Sequence, residues 1–150
     1  MLGEAIATYT VRSSSSVISS ADQRSFIVLQ IDNPIMVVNG SSAEIDPGRG
    51  TSPQIILNRT MVPIRAVVEA MGGTVAWDGA ESKITINARG NQVEMWLNSR
   101  NLRVNGVADT MDVAPVSLGG RTFVPVRFSA DNLDAKTDWI NSTREVVVVY

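Results

Sequence analysis

The chain contains no cysteine and no histidine. The first absence rules out disulfides in any compartment. The second removes the commonest general base and the commonest side-chain ligand of zinc and copper. A serine–histidine nucleophile is excluded with it. Lysine occurs only as Lys83 and Lys136, and neither has a serine placed for activation. Aromatic residues make up 5% of 150 positions, so each tryptophan stands out. No apolar run is long enough to cross a bilayer, and residues 1–24 lack the basic-then-apolar profile of a signal peptide. A net charge of -2 is too even for a general nucleic-acid or membrane-surface binder. Gly48-Arg49-Gly50 lacks the strand-to-helix setting and the Lys-Ser/Thr ending of a phosphate loop.

What the chain does have is a repeat. Arg59-Thr60-Met61-Val62-Pro63-Ile64-Arg65 returns as Arg121-Thr122-Phe123-Val124-Pro125-Val126-Arg127. The match extends outward: Val38-Asn39-Gly40 to Val104-Asn105-Gly106, Pro53 to Pro115, Trp77 to Trp139, and Ile84-Thr85-Ile86 to Val146-Val147-Val148. The chain therefore reads as an N-terminal strand-and-linker segment (1–25), a first repeat (26–90) and a second (91–150). A unit of about 60 residues is marginal alone, so the repeats are expected to pack together. In the first segment, residues 5–11 have the β-branched and aromatic content of a strand, and Ser13 to Ser16 read as linker. That segment is either a tail or a strand pairing with one of the repeats.

Within each repeat the pattern is mostly β. Ile27, Leu29 and Ile31 alternate with Val28 and Gln30; Val93, Met95 and Leu97 alternate with Glu94 and Trp96. Asn39-Gly40 and Asn105-Gly106 supply the positive φ angles of a type I′ hairpin turn. Further turns are expected at Asn58-Arg59 and Gly119-Gly120, and at Asp78 to Ala80 and Asn141-Ser142. One helix interrupts each repeat, with Pro63 and Pro125 at its first position. Ile64, Val67, Val68 and Met71 form an apolar stripe at helical spacing. Gly72 and Gly73 end the first helix, and Asp134 stands where the second lacks a glycine. The fold class is α+β: two repeats, each a twisted antiparallel β-sheet packed on one short α-helix.

Arg65 and Arg127 fall in the first helical turn, where the helix dipole disfavours a cation. A partner must outweigh that cost, and Glu69 and Asp131 lie one turn on. The expected role is structural, with Arg65→Ala lowering stability. Trp77 and Trp139, after each helix, are expected in the core. Trp96 lies on the strand face opposite Val93 and Met95, and its counterpart in the first repeat is Gln30. It either points outward with Glu94, Asn98 and Arg100 as a ligand platform, or is buried against the other repeat or the N-terminal strand. Asp46, Asp78, Glu81, Asp109 and Asp112 fall at turns, where Asp is favoured for backbone reasons. Calcium at Asp109 and Asp112 has only weak support from spacing. No catalytic residue, metal site or cofactor is expected.

The Arg-Thr-x-Val-Pro-x-Arg string, followed by a short helix, a tryptophan and a β-hairpin and preceded by a Val-Asn-Gly turn, resembles the copper amine oxidase N-terminal domain-like module, or stalk domain. The resemblance covers about residues 26–150. Trp77-Asp78 matches many members, whereas Trp139-Ile140 departs from them. The resemblance implies a non-catalytic module, often in tandem, of secreted and surface proteins of Gram-positive bacteria. Copper and the modified tyrosine of the namesake enzymes belong to another domain. The function implied is an extracellular stalk, scaffold or interaction module of a larger protein, extracellular or wall-associated, whose partners are the other domains of that protein. The alternatives are a carbohydrate-binding module for cell-wall or plant polysaccharide, with Trp96 as platform, and a small hydrolase or lyase using carboxylates.

Overall fold

A computed structural model describes residues 24–150. The expected strand at 5–11 and the linker at 13–16 lie outside them. The elements run β1 (Phe26–Gln30), β2 (Ile35–Val38), β3 (Ser41–Glu44), β4 (Gln54–Ile56), β5 (Arg59–Pro63) and α1 (Ile64–Ala70), then β6 (Thr74–Asp78) and β7 (Lys83–Ala88). They continue with β8 (Asn91–Trp96), β9 (Asn101–Val104), β10 (Val107–Thr110), β11 (Val116–Leu118), β12 (Arg121–Pro125), α2 (Arg127–Asn132), β13 (Lys136–Ile140) and β14 (Glu145–Val149). The result is α+β, mostly antiparallel sheet with two short helices among the described residues.

The strands do not sort by half of the chain. Sheet 1 has the order β13-β14-β1-β2-β3, sheet 2 the order β10-β9-β8-β7-β6, and a central sheet the order β11-β12-β5-β4. Every sheet thus takes strands from both halves, unlike the expectation of one sheet per half. The cause is local. Ala88 faces Asn91 across Arg89-Gly90, whose φ angles of 52° and 78° make a two-residue hairpin. That turn forces β8 beside β7, so β1 finds its partner in β14, with Ile27 opposite Val148 and Leu29 opposite Val146. The 90/91 position falls inside this turn.

The repeated heptapeptide makes the central seam. β5 and β12 pair antiparallel, with Val62 opposite Val124, Met61 opposite Pro125 and Pro63 opposite Phe123. Val62 therefore faces its own counterpart, and the pair is centred on a local twofold. The prolines are not the first helical residues. Pro63 ends β5 with φ -63° and ψ 112° and precedes α1, and Pro125 ends β12 with Val126 between it and α2. The extended ψ of Pro63 is that of a strand, and the seam holds both prolines as paired strand residues.

Both helices lie between sheets 1 and 2. Ile64 and Val68 of α1, with Phe128 and Leu133, pack on Ile84, Ile86, Val93 and Met95 of sheet 2. Ala66 and Val67, with Val126 and Ala135, pack on Ile27, Leu29, Val146 and Val148 of sheet 1. A seven-residue helix is marginal by itself, so these two contacts hold it in place. Its end is tight. A Cβ on Gly73 would lie 2.5 Å from the Asn87 carbonyl oxygen and 2.6 Å from Ala88 Cβ. Asp134, at the equivalent end of α2, takes the left-handed φ of 54° that Gly72 takes at 83° after α1.

The turns follow the sequence with one shift. Asn39-Gly40 and Asn105-Gly106 have positive φ at both residues, as type I′ requires. The expected Asn58-Arg59 turn is Leu57-Asn58, because Ile56 pairs with Arg59. Arg59 is thereby a strand residue at the start of β5, the same position that Arg121 holds in β12.

Candidate functional site

Two constellations use the polar residues of the chain. The first is the outer face of sheet 2. In β8, Val93 and Met95 are fully buried against the helices, which turns Glu94 and Trp96 to the opposite face. Trp96 is partly buried, and the Arg103 guanidinium lies over its ring, 5.6 Å from the centroid. Such a contact is worth about 0.5–1 kcal/mol at an exposed site and fixes the ring orientation. Glu94 is flanked by Lys83, at 3.3 Å, and stands opposite Arg103 in the register. Trp96, Ser99, Asn101, Arg103, Asp109 and Thr110 border an open groove of about 560 Å³.

Two expected members of this cluster are elsewhere. Asn98 sits in the turn after β8 with φ 62°, its backbone N–H donating to the Pro115 carbonyl at 2.8 Å. Arg100 donates through Nε to the Met111 carbonyl at 2.9 Å, tying down the end of the β9–β10 hairpin. The cation at Trp96 is Arg103 instead. Its place follows from the pairing of β8 with β9, in which Val104 stands opposite Val93 and Arg103 opposite Glu94, a register that the Asn105-Gly106 turn between β9 and β10 does not set.

The second constellation crosses the seam. Arg121 donates from Nε to Asp46 Oδ2 at 2.7 Å and from Nη2 to Oδ1 at 3.3 Å, a bidentate pair between positions 75 residues apart. Thr51 donates to the same carboxylate at 2.6 Å, and Arg49 stands 3.8 Å away. Hydrogen bonds from Arg121 and then Thr51 hold the Asp46 carboxyl below its usual range, against a smaller opposing effect of burial. The mirror image is Arg59 with Asp112, Nε to Oδ2 at 2.6 Å. The two pairs differ in setting: the Asp46 side chain is 14% exposed and the Asp112 side chain 66%. Neither aspartate is thus a simple turn residue; each ties one half of the chain to the other.

The helix-start arginines have a lesser part. Arg65 makes a 3.4 Å ion pair with Glu69, both more than half exposed, and Arg127 is exposed at the start of α2. The arginines that fasten the seam are the first of each heptapeptide, Arg59 and Arg121, rather than the last. Trp77 and Trp139 are 51% and 42% exposed, not core residues. Each lies on β6 or β13, which among the described residues is an edge strand with a neighbour on one side only. Val75 still packs on the sheet 2 core, and Trp77, two residues further out, lies beyond it.

The ends of both helices are held across the seam too. Tyr150 Oη donates to the Ala70 carbonyl at 2.9 Å, and Arg89 Nε donates to the Leu133 carbonyl at 2.8 Å. Arg89 also lies 5.4 Å from the Tyr150 ring centroid. Burial raises the Tyr150 phenol, while Ser25 and Arg89 pull it the other way.

For a metal, the donor set is wrong for copper, since no imidazole or thiolate exists in the sequence. Among the described residues no three carboxylates converge as an oxygen cage. Against known families, the model described as copper amine oxidase N-terminal domain matches residues 49–148. That span contains both heptapeptides, both helices and every strand from β4 to β13, with most of β14. No curated protein matches the chain.

Proposed function

The chain belongs to the copper amine oxidase N-terminal domain family, and from that premise we propose that it is a stalk or scaffold module of a larger bacterial surface or secreted protein. The domain that gives the family its name is a non-catalytic accessory domain. The observation carrying the proposal is where the repeated residues go. The two heptapeptides pair with each other at the seam, and their leading arginines reach across it to Asp46 and Asp112. The repeat is spent on construction, and two tandem repeats closed onto one another make a stiff spacer for neighbouring domains. The site of action in this reading is extracellular or at the cell wall of a Gram-positive bacterium. The test attaches the chain between two reporter domains and measures their separation. A fixed distance supports the spacer, and a distance that varies as for a flexible linker contradicts it.

A second reading rests on the groove beside Trp96. Its indole, an adjacent guanidinium, and the hydroxyls and carboxylate of Thr110, Ser99 and Asp109 are the groups that stack on a sugar ring and bond its hydroxyls. Retention of the chain on cell-wall or plant polysaccharide, lost in Trp96→Ala, would favour this reading. Equal passage of both proteins through every polysaccharide would remove it.

A further inference from the structure

Among the described residues six strands lie at sheet edges: β13 and β3, β10 and β6, β11 and β4. An edge leaves a row of N–H and C=O groups open to a strand from another molecule, and charged side chains or short length are the usual guards against it. β4 and β11 have three residues each. β3 carries Glu44, β10 carries Asp109, and β13 carries Lys136 and Asp138. β6 differs from these five: it has five residues, and the first four, Thr74-Val75-Ala76-Trp77, are uncharged. Asp78 only ends it, and Trp77 is 51% exposed.

The direction of its free backbone groups follows from the register. Arg89-Gly90 is a two-residue hairpin, so the flanking residues Ala88 and Asn91 exchange both hydrogen bonds. The same alternation holds at the far end of the pair, where the Leu97 N–H donates to the Ser82 carbonyl at 3.0 Å. Ile84, Ile86 and Ala88 thus bond to β8, and Lys83, Thr85 and Asn87 turn to β6. Opposite those three stand Asp78, Ala76 and Thr74. Val75 and Trp77 are left with N–H and C=O pointing off the edge.

We propose that two copies of the chain pair antiparallel through β6, about a twofold axis between their Ala76 residues, so that two five-stranded sheets become one continuous sheet. The strand is self-complementary in that register. Val75 of one copy faces Trp77 of the other, and these are the residues with outward backbone groups, so they exchange both hydrogen bonds on each side of the axis. Ala76 meets Ala76 at the close, non-hydrogen-bonded position, where a methyl group fits. Asp78 stands opposite Thr74, whose hydroxyl is a donor for it. The two indoles become diagonal neighbours, about 7–8 Å apart and within aromatic reach. β13, the equivalent strand of sheet 1, does not suit such a pair, because its central Asp138 would face a second Asp138. Five residues per copy make a small interface, below about 1,200 Å² and of the transient class. A closed pair uses the edge up, so association stops at the dimer.

The test is the mass of the unaltered chain by sedimentation equilibrium, from about 10 μM to about 1 mM, a range suited to a small interface. A monomer at the low end and a dimer at the high end are expected. Ala76 is exposed, so Ala76→Lys and Ala76→Glu should keep the circular dichroism of the parent. Each should weaken dimerisation at least about tenfold, since like charges then meet across the axis. An equimolar mixture of the two variants should regain it. A monomer throughout would overturn the proposal, as would a dimer that Ala76→Lys leaves unchanged. Association that Ala76→Lys strengthens, or that passes beyond the dimer, would assign the edge to β13 of the next copy, where Asp138 faces position 76, and would equally overturn it. Amide exchange gives a reading independent of any variant. The Val75 and Trp77 N–H groups should exchange fast in dilute solution and slowly at high concentration, with the Ala76 N–H protected in both. Exchange at Val75 and Trp77 that ignores concentration contradicts pairing at this edge.

Discussion

Sheets 1 and 2 are assembled from equivalent segments in the same order, with the same register between the strands contributed by the two halves. Their inner faces match residue for residue: Ile27 with Val93, Leu29 with Met95, Val146 with Ile84, Val148 with Ile86, all buried. Their outer faces have parted. Phe26, Val28 and Val147 stand in sheet 1 where Gln92, Glu94 and Thr85 stand in sheet 2. The inner faces are constrained by helices shared between the sheets, so a change on one side disturbs both. The outer faces carry no such constraint and can take on different work. One has become a dry surface, the other a charged face bearing Trp96 and Arg103.

The contrast can be broken most forcefully by charge. Val147→Lys places an unpaired ammonium on the dry face and should cost about 3–5 kcal/mol in urea unfolding, whereas Thr85→Lys should stay within about 0.5 kcal/mol of the parent. Equal costs would erase the distinction between the faces.

The ion pairs give a smaller contrast. Asp46→Ala removes a bidentate pair and a threonine hydrogen bond at a nearly buried carboxylate, and should cost about 1.5–3 kcal/mol; Asp112→Ala, at an exposed one, should cost about 0.2–1 kcal/mol. The sign with pH follows from the lowered Asp46 ionisation. Its contribution is fully present above the ordinary aspartate value of about 4 and is lost as pH falls through the lower folded value. The stability gap between the parent and Asp46→Asn should accordingly narrow in acid, which thermal unfolding across pH 2–6 would follow, that window spanning about two units either side of the same reference value.

At the helix ends, Gly73→Ala should destabilise by about 1–3 kcal/mol, since its Cβ meets backbone, while the equivalent Ala135→Gly should cost only about 1 kcal/mol. Tyr150→Phe should cost about 1 kcal/mol through the lost bond to Ala70. Because burial raises that phenol, its contribution is present below about pH 10 and disappears as pH climbs through the folded value. The least effect is expected for Arg65→Ala, about 0.3–0.5 kcal/mol by the same urea titration, as for an exposed pair one turn apart.

The local chemistry of the chain is readable without the fold. Asn-Gly turns, alternating strands, the apolar stripe of α1 and Asp134 in place of a glycine all sit where short-range rules put them. Three features escape such rules because they depend on partners distant in sequence. Arg59 and Arg121 acquire meaning only once Asp112 and Asp46 are brought to them. Trp77 and Trp139 have the alternation of inward residues, and only the sheet order reveals that they sit on edges. The exchange of β1 and β8 between halves hangs on Arg89-Gly90, a turn less conspicuous than the Asn-Gly pairs. Trp96 is a mixed case: alternation assigns its face, while the identity of its cationic neighbour needs the register of β9.

The central claim is that the two halves, sharing three sheets and reaching across one seam, form a single cooperative unit. It is tested by urea unfolding of the full chain with one probe in each sheet, using a fluorophore on Thr85→Cys in sheet 2 and, in a second sample, on Ser42→Cys in sheet 1. The account predicts superimposable transitions with one midpoint. Two separated midpoints, with one sheet surviving the loss of the other, would contradict it.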